Sequence, residues 1–125
     1  MTTQTHADKI PIVRFNPNQD GLARWFGPLE TEIMEVLWGS TKSLTVKSVH
    51  RAINSQRELA YTTVMTTMAR LWEKGVLART KHGLAYLYTP ACTAIEFEEN
   101  QVRAIVESIR EEVLGMVDSI MEKAR

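Results

Sequence analysis

The run from residue 60 to residue 75 constrains the fold most, because its two helical faces differ in chemistry. One face is apolar at helical spacing, and an ordinary surface helix would carry Glu and Lys on the other. Here the other face carries threonines and an arginine, although threonine is a mediocre helix former. Short hydroxyls beside an arginine suit a helix that lies in a nucleic-acid groove, where they meet phosphates and base edges. The apolar face is predicted to hold Tyr61, Val64, Met68, Leu71 and Trp72, and the polar face Thr62, Thr63, Thr66 and Arg70, with Thr67 and Lys74 beside them.

The residues after this helix predict a small β-hairpin. Gly75 ends the helix, residues 76–81 are predicted as one strand, and residues 85–89 as the returning strand before Pro90. The pair His82-Gly83 is predicted to form the tight turn between them. A helix that leads directly into a hairpin is the ending of a winged helix-turn-helix. The hairpin therefore favours a groove-binding helix over the alternative, a threonine-rich face that is merely solvated.

Two shorter helices are predicted upstream of this unit. Pro28 opens the first, at a position where its missing N–H does no harm, and Trp38-Gly39 marks its end. Thr45 can cap a second helix over residues 46–54, and residues 55–59 form the turn before the third helix. Three helices and a hairpin form a compact DNA-reading unit. The predicted apolar stripes are Leu29, Ile33, Met34, Val36 and Leu37 in the first helix, and Val46, Val49 and Ile53 in the second.

The tail after Pro90 predicts a helix with an apolar seam of its own. Thr93 and Glu96 form a capping-box pattern at its start. Six apolar residues then alternate at heptad spacings, and Ile95 extends the seam backward. Such a stripe must be buried, which favours dimerisation, with packing of the tail on its own domain as the alternative. Because Gly115 can interrupt a helix, the tail is expected to form either one helix or two. The predicted dimerisation residues are Val102, Val106, Ile109, Val113, Met116 and Ile120.

These elements define the predicted fold class and domain organisation. The chain is expected to be mainly α with a small β-hairpin, comprising a winged helix-turn-helix DNA-binding domain and a C-terminal helical dimerisation segment. The predicted division is an N-terminal arm over 1–26, the DNA-binding domain over 27–90, and the dimerisation segment over 91–125. The arm contains Pro and Gly but also apolar residues, so we expect it to be partly ordered against the first helix or a dimer partner.

Charge is distributed unevenly, although the chain is neutral overall. Residues 42–81 hold eight basic residues against two acidic ones, a net charge of +6. Residues 91–125 hold four basic residues against eight acidic ones, a net charge of −4. A basic DNA-binding region followed by an acidic tail is expected of a protein that attracts the phosphates of DNA at one end. On this basis Arg79, Lys81 and His82 of the hairpin are predicted to meet the DNA backbone, while Arg70 meets a phosphate or a guanine.

The sequence gives no indication of an enzyme, a metal site or a cofactor. His6, His50 and His82 show no metal-ligand spacing with one another or with the single cysteine, Cys92. No nucleophile elbow, phosphate-binding glycine loop or HExxH pattern occurs. No apolar run reaches the length of a membrane span, and residues 1–12 lack the apolar centre of a secretion signal. We therefore expect a non-enzymatic cytoplasmic protein without catalytic or metal-binding residues, whose cysteine is a reduced or partly buried thiol.

At three places the sequence resembles the penicillinase-repressor family of the BlaI/MecI type. The run FGPLETEIMEVLW (26–38) is similar to the family's first helix, and LAYTTVMT (59–66) and RLWEKG (70–75) are similar to its recognition helix and exit. The resemblance, from Phe26 to Pro90, implies a bacterial transcriptional repressor that binds double-stranded operator DNA as a homodimer. It also implies that Thr62, Thr63, Met65 and Thr66 approach the operator, while the hairpin contacts its backbone.

Several positions depart from that family's pattern. Met65 stands where some members carry a basic residue, and Ala60 replaces a capping residue, which weakens the helix start by about 1 kcal/mol. The C-terminus lacks the cysteine cluster of copper-responsive relatives. Antibiotic-responsive relatives are cleaved at an Asn-Phe bond after a membrane sensor protease is activated, whereas the nearest pair here is Asn100-Gln101. The partner that releases the protein from DNA could be a sensor protease or another factor. The sequence does not identify the inducer, the operator or the controlled genes.

Two functional hypotheses follow from the sequence. The first is a dimeric, sequence-specific transcriptional repressor. The second is a winged-helix protein–protein interaction module that uses the same face to dock another protein. The basic charge of residues 42–81 and the hydroxyl-rich helix face favour the repressor.

Overall fold

The structure is a computed structural model that describes residues 3–4 and 15–125. It confirms the predicted fold class, since helices dominate and a small antiparallel hairpin follows the third of them. The N-terminal arm, which was expected to be partly ordered, is described only in part. Its apolar residues Phe15, Leu22, Trp25 and Phe26 are described, and those before Phe15 lie outside the described residues. The elements in chain order are β1 (Thr3–Gln4), a short 3-10 helix (Gly21–Arg24), α1 (Pro28–Trp38), α2 (Val46–Asn54), α3 (Tyr61–Glu73), β2 (Leu77–His82), β3 (Ala85–Pro90) and α4 (Ala94–Lys123).

Helices α1, α2 and α3 pack around one apolar core. The predicted cap of α2 is confirmed, because the Ser48 N–H donates to Thr45 Oγ1 at 3.1 Å. Trp72 of the predicted apolar face is half-buried and packs against the core, whereas Tyr61 of the same face is 45% exposed. Tyr61 is the first residue of α3 and so lies beyond the packed middle of the helix. The buried core residues of the three helices are Ile33, Met34 and Leu37, Val49 and Ile53, and Val64, Met68 and Leu71.

The first strand of the hairpin lies one residue later than predicted, whereas the second begins at Ala85 as predicted and ends at Pro90. The Val76 N–H donates to the Leu71 carbonyl at 2.9 Å, so Val76 takes part in the turn at Gly75 (φ +85°) that follows the end of α3 and not in the strand. At the far end His82 pairs with Ala85, so the two-residue turn is Gly83-Leu84 rather than His82-Gly83. Gly83 has φ +64°, which accounts for a glycine at the first turn position.

Two further pairings join the hairpin to the rest of the chain. Residues Thr3–Gln4 pair with β2, opposite Thr80 and Arg79, whereas the later part of the arm, the 3-10 helix, lies against α1. Leu44, just before α2, exchanges both backbone hydrogen bonds with Tyr88 at 2.7 and 2.8 Å. The hairpin is thereby fixed to the segment that enters α2, and its position relative to the three helices is determined.

The tail forms one helix, α4, which passes through Gly115 without a break. Its capping box is confirmed: the Glu96 N–H donates to Thr93 Oγ1 at 3.1 Å, and the Thr93 N–H donates to Glu96 Oε1 at 3.2 Å. Its first turns pack on the domain, since Phe97 is 1% exposed and stacks on Phe26 with ring centroids 5.1 Å apart. Beyond Ile105 the side chains of α4 are exposed.

Candidate nucleic-acid interface

The polar face of α3 is exposed as predicted. Thr62, Thr63, Thr66 and Arg70 line a shallow groove of about 270 Å³ together with Thr67. The Thr67 hydroxyl donates to the Thr63 carbonyl at 2.8 Å, so this threonine turns back on its own helix. The remaining threonines present short hydroxyl side chains at the surface, and the arginine lies one turn beyond Thr66.

A second, larger groove separates α3 from the hairpin. It has a volume of about 680 Å³ and is mostly apolar. Met65 and Tyr61 form its helix side and are 42% and 45% exposed, while Leu84 and Tyr86 form part of its hairpin side. Met65 therefore lies next to Thr66 at the same surface, where a thymine methyl or another apolar group could contact it.

The basic side chains of the hairpin occupy two different settings. Lys81 and His82 are exposed near the turn. Arg79 is half-buried, with its guanidinium 3.5 Å from the ring centroid of Trp72 and 4.0 Å from that of Tyr86. Its Nη1 also donates to the Tyr88 hydroxyl at 3.4 Å. Arg79 thus joins α3 to both strands by cation–π contacts, which hold the hairpin against the helix.

The start of α3 is held by side chains of α2 rather than by a cap of its own. Ala60 occupies the capping position and offers no side-chain acceptor. One residue earlier, the Leu59 N–H donates to Asn54 Oδ1 at 2.9 Å, and His50 Nε2 donates to the Leu59 carbonyl at 2.6 Å. Sequence reasoning assigned no role to His50 or Asn54; the only signal was a side-chain acceptor at the last residue of α2.

The predicted seam on α4 lies at the surface along its whole length. Its six residues, from Val102 to Ile120, are 44–65% exposed. Val102 and Val106 also line a cleft of about 370 Å³ at the root of the helix, opposite Phe15 and Trp25. No described part of the chain covers these six side chains.

The remaining polar groups of the described residues include one cysteine and no metal-binding cluster. No group of His, Cys, Asp or Glu within the described ranges is placed to hold a metal ion. Burial raises the pKa of the Cys92 thiol, and the nearby Glu96 carboxylate raises it further. No helix among residues 15–125 is both long and apolar enough to span a bilayer.

Three packed helices, an exposed hydroxyl-rich third helix and a hairpin beside it define the protein as a winged helix-turn-helix protein. Residues 26–125 match the family model described as penicillinase repressor, and the chain belongs to this family.

Individual relatives match a shorter part. The chain is 42% identical over 64 residues to "Transcriptional regulator BlaI" of Mycobacterium tuberculosis, in strains CDC 1551 / Oshkosh and ATCC 25618 / H37Rv. These matches cover 51% of this chain and 46% of each relative, so they span about half the length of the curated relatives. The solution structure of the DNA binding domain of the repressor BlaI is 28% identical, with a TM-score of 0.49, over 54% of this chain and 80% of that one.

Proposed function

We propose that the protein is a homodimeric, sequence-specific DNA-binding transcriptional repressor of the BlaI/MecI type. The observation that carries this proposal is the exposed face of α3, where three threonines and Arg70 lie at the surface beside a basic hairpin. Side chains this short let a helix backbone come close to base edges in the major groove. Family membership and the printed names of the relatives support the same function.

In this proposal each part of the interface has a distinct role. Thr62, Thr63 and Met65 approach the operator, Thr66 contacts a base edge or a thymine methyl, and Arg70 holds a phosphate or a guanine. From the hairpin, Lys81, His82 and Arg79 meet the neighbouring phosphates. The positive charge of this region supplies the sequence-independent part of the affinity.

The exposed seam of α4 is proposed to form the dimer. Each apolar side chain left in water would forgo about 1.5–3 kcal/mol of burial free energy. The six seam residues follow heptad spacing, which is the pattern of helices that pair along their length. A dimer would also place two copies of α3 on one operator, as two half-sites require.

Release from DNA would then follow from loss of the dimer. A sensor protease or another release factor that acts on α4 would separate the two DNA-binding domains of the dimer and reduce the affinity for an operator with two half-sites. We place this activity in the cytoplasm, where bacterial DNA lies. Cleavage of the purified protein within α4, followed by sedimentation, would test whether an intact α4 is needed for the dimer.

DNA binding is tested by selecting duplexes from a randomised library with the purified full chain. The selected duplex and a scrambled duplex of equal composition are then titrated by fluorescence anisotropy over a range of salt concentrations. We expect the selected duplex to bind more tightly by at least about 1000-fold, the lower end for specific recognition. Equal binding of both duplexes, or selection of no common sequence, would contradict the proposal.

A second candidate function is favoured by the large groove between α3 and the hairpin. Its lining includes Tyr61, Met65, Leu84 and Tyr86, and apolar side chains of this kind suit a protein partner. Under this alternative the protein is a winged-helix interaction module that docks another protein through the same face. The salt titration distinguishes the two, since only phosphate binding releases counterions in proportion to the contacts made.

A further inference from the structure

We infer that His50 and Asn54 of α2 are positioning residues that set where and how α3 begins. Both backbone polar groups of Leu59 are bonded to this pair: the N–H donates to Asn54 Oδ1 at 2.9 Å, and the carbonyl accepts from His50 Nε2 at 2.6 Å. Because a carbonyl can only accept, this bond requires the proton of His50 on Nε2. The pair therefore fixes the peptide groups on both sides of Leu59, one residue before the capping position.

The need for such an anchor follows from Ala60. A helix normally begins at a Ser, Thr, Asp or Asn whose side chain accepts from the first N–H groups and so specifies the starting residue. Ala60 provides no acceptor, and its backbone is in the extended region with φ −69° and ψ 138°. The two bonds at Leu59 specify the entry from outside the helix instead. They leave the first N–H groups of α3 unoccupied by a cap, which is where a phosphate approaches a helix terminus.

Aromatic packing supports the same anchor. The rings of His50 and Tyr61 meet edge to face, with centroids 5.7 Å apart. Tyr61 is the first residue of α3, so the imidazole contacts the chain on both sides of Ala60. On the other side of the turn, Arg57 pairs with Glu32 of α1 at 2.7 Å, but both side chains are partly exposed and the pair contributes little. Orientation of the start of α3 is thus assigned to His50 and Asn54.

The consequence at DNA rests on the proposed function. Thr62, Thr63 and Thr66 lie within the first two turns of α3, so a small shift of its start displaces all three together. Contacts to base edges depend on such displacements, whereas attraction to phosphates depends mainly on charge. Loss of the anchor should therefore lower operator affinity and leave non-specific binding largely unchanged.

The test uses the full chain with His50→Phe and Asn54→Leu combined. Phe keeps a ring against Tyr61 but loses the donor, and Leu loses the acceptor. We expect affinity for the library-selected duplex to fall about tenfold, because DNA binding must then order the start of α3 at a cost comparable to the two lost hydrogen bonds. Binding to the scrambled duplex should stay at the parent's level. Asn54→Asp retains an acceptor for the Leu59 N–H. The variant that combines His50→Phe with Asn54→Asp should therefore recover part of the affinity that is lost when His50→Phe is combined with Asn54→Leu.

Ser55→Ala is the matched control, because it removes a hydrogen bond in the same turn, from Ser55 Oγ to the Ala52 carbonyl, without touching Leu59. An equal loss for the control and the double variant would overturn the inference. So would a parallel loss on selected and scrambled duplexes, or no recovery with Asp.

Amide hydrogen exchange tests the anchor without DNA. In the double variant, exchange should accelerate at Thr63 and Val64 and stay unchanged at Leu71 near the other end of α3. Unchanged exchange at Thr63 and Val64 would overturn the inference even if operator binding fell. If the parent chain bound no DNA sequence specifically, the proposed function would fail, and accelerated exchange would still support the anchor.

Discussion

Helices α3 and α4 are both amphipathic, but they expose opposite faces. The apolar face of α3 is covered within the chain, with Val64, Met68 and Leu71 fully buried, and it presents hydroxyls and an arginine to solvent. Helix α4 buries Phe97 and Gln101 at its root and then exposes its apolar seam. Its 30 residues extend about 45 Å at 1.5 Å per residue, well beyond the domain that could cover them. An exposed polar face indicates a polar ligand, and an exposed apolar seam indicates another polypeptide.

The largest effect is expected where the two regions join. Phe97→Ala removes a buried ring that stacks on Phe26 and meets Trp25 edge to face, so we expect a loss of about 3–5 kcal/mol in the free energy of unfolding. Urea unfolding at fixed protein concentration measures it. Glu99→Ala, two residues later and exposed, is the control and should change stability little. Equal effects of the two substitutions would show that α4 does not pack on the domain.

The next prediction tests what covers the seam. Val106→Lys combined with Val113→Lys places like charges at the proposed interface and removes about 1.5–3 kcal/mol of burial free energy per side chain. Sedimentation should give monomers, with the unfolding of the domain core unchanged. Glu107→Lys with Glu111→Lys places two lysines on the opposite face of α4 and should leave the dimer intact. A dimer that survives in the seam variant would place the interface elsewhere.

Local signals in the sequence predicted most element ends. Thr45, Thr93 and Gly75 act on neighbours within a few residues, so a cap or a glycine turn can be identified without the fold. The stripe Phe97, Gln101 and Ile105 also has helical spacing, but the longer seam beside it favoured self-association, with packing of the tail on its own domain only as the alternative. Gly115 costs α4 only about 1 kcal/mol, which a long helix tolerates.

Contacts between distant segments were not predictable in the same way. The cation–π sandwich of Arg79 joins Trp72 to Tyr86 across two elements, and its geometry depends on how the hairpin packs on α3. The bonds from His50 and Asn54 to Leu59 depend on the path of the turn between α2 and α3. Residue type gave the sign of charge at the interface but not which side chains are held in place. The polar face was therefore predictable, whereas the contacts that orient it were not.

A smaller effect should distinguish threonines on the exposed face of α3. Thr66→Ala removes a proposed base contact and should weaken operator binding by about 1–3 kcal/mol, with non-specific binding nearly unchanged. Thr67→Ala is the matched control, since its hydroxyl already bonds the Thr63 carbonyl and should be neutral toward DNA. Anisotropy titration with selected and scrambled duplexes measures both. If Thr67→Ala weakened operator binding as much as Thr66→Ala, helix stability rather than base contact would explain the loss.

The smallest expected effect concerns the charge difference between the hairpin and α4. Lys81 is exposed near the turn of the hairpin, whereas Lys123 is the last residue of α4, on the acidic side of the molecule. If Lys81 neutralises one phosphate, Lys81→Ala should weaken binding to every sequence and lower the slope of log affinity against log salt by about 0.9. Lys123→Ala removes the same charge and should leave that slope unchanged, because Lys123 lies at the end of the acidic helix α4 and outside the proposed DNA interface of α3 and the hairpin. Equal slopes for the two variants would mean that the net charge of the whole chain, rather than a phosphate contact at the hairpin, controls the salt dependence.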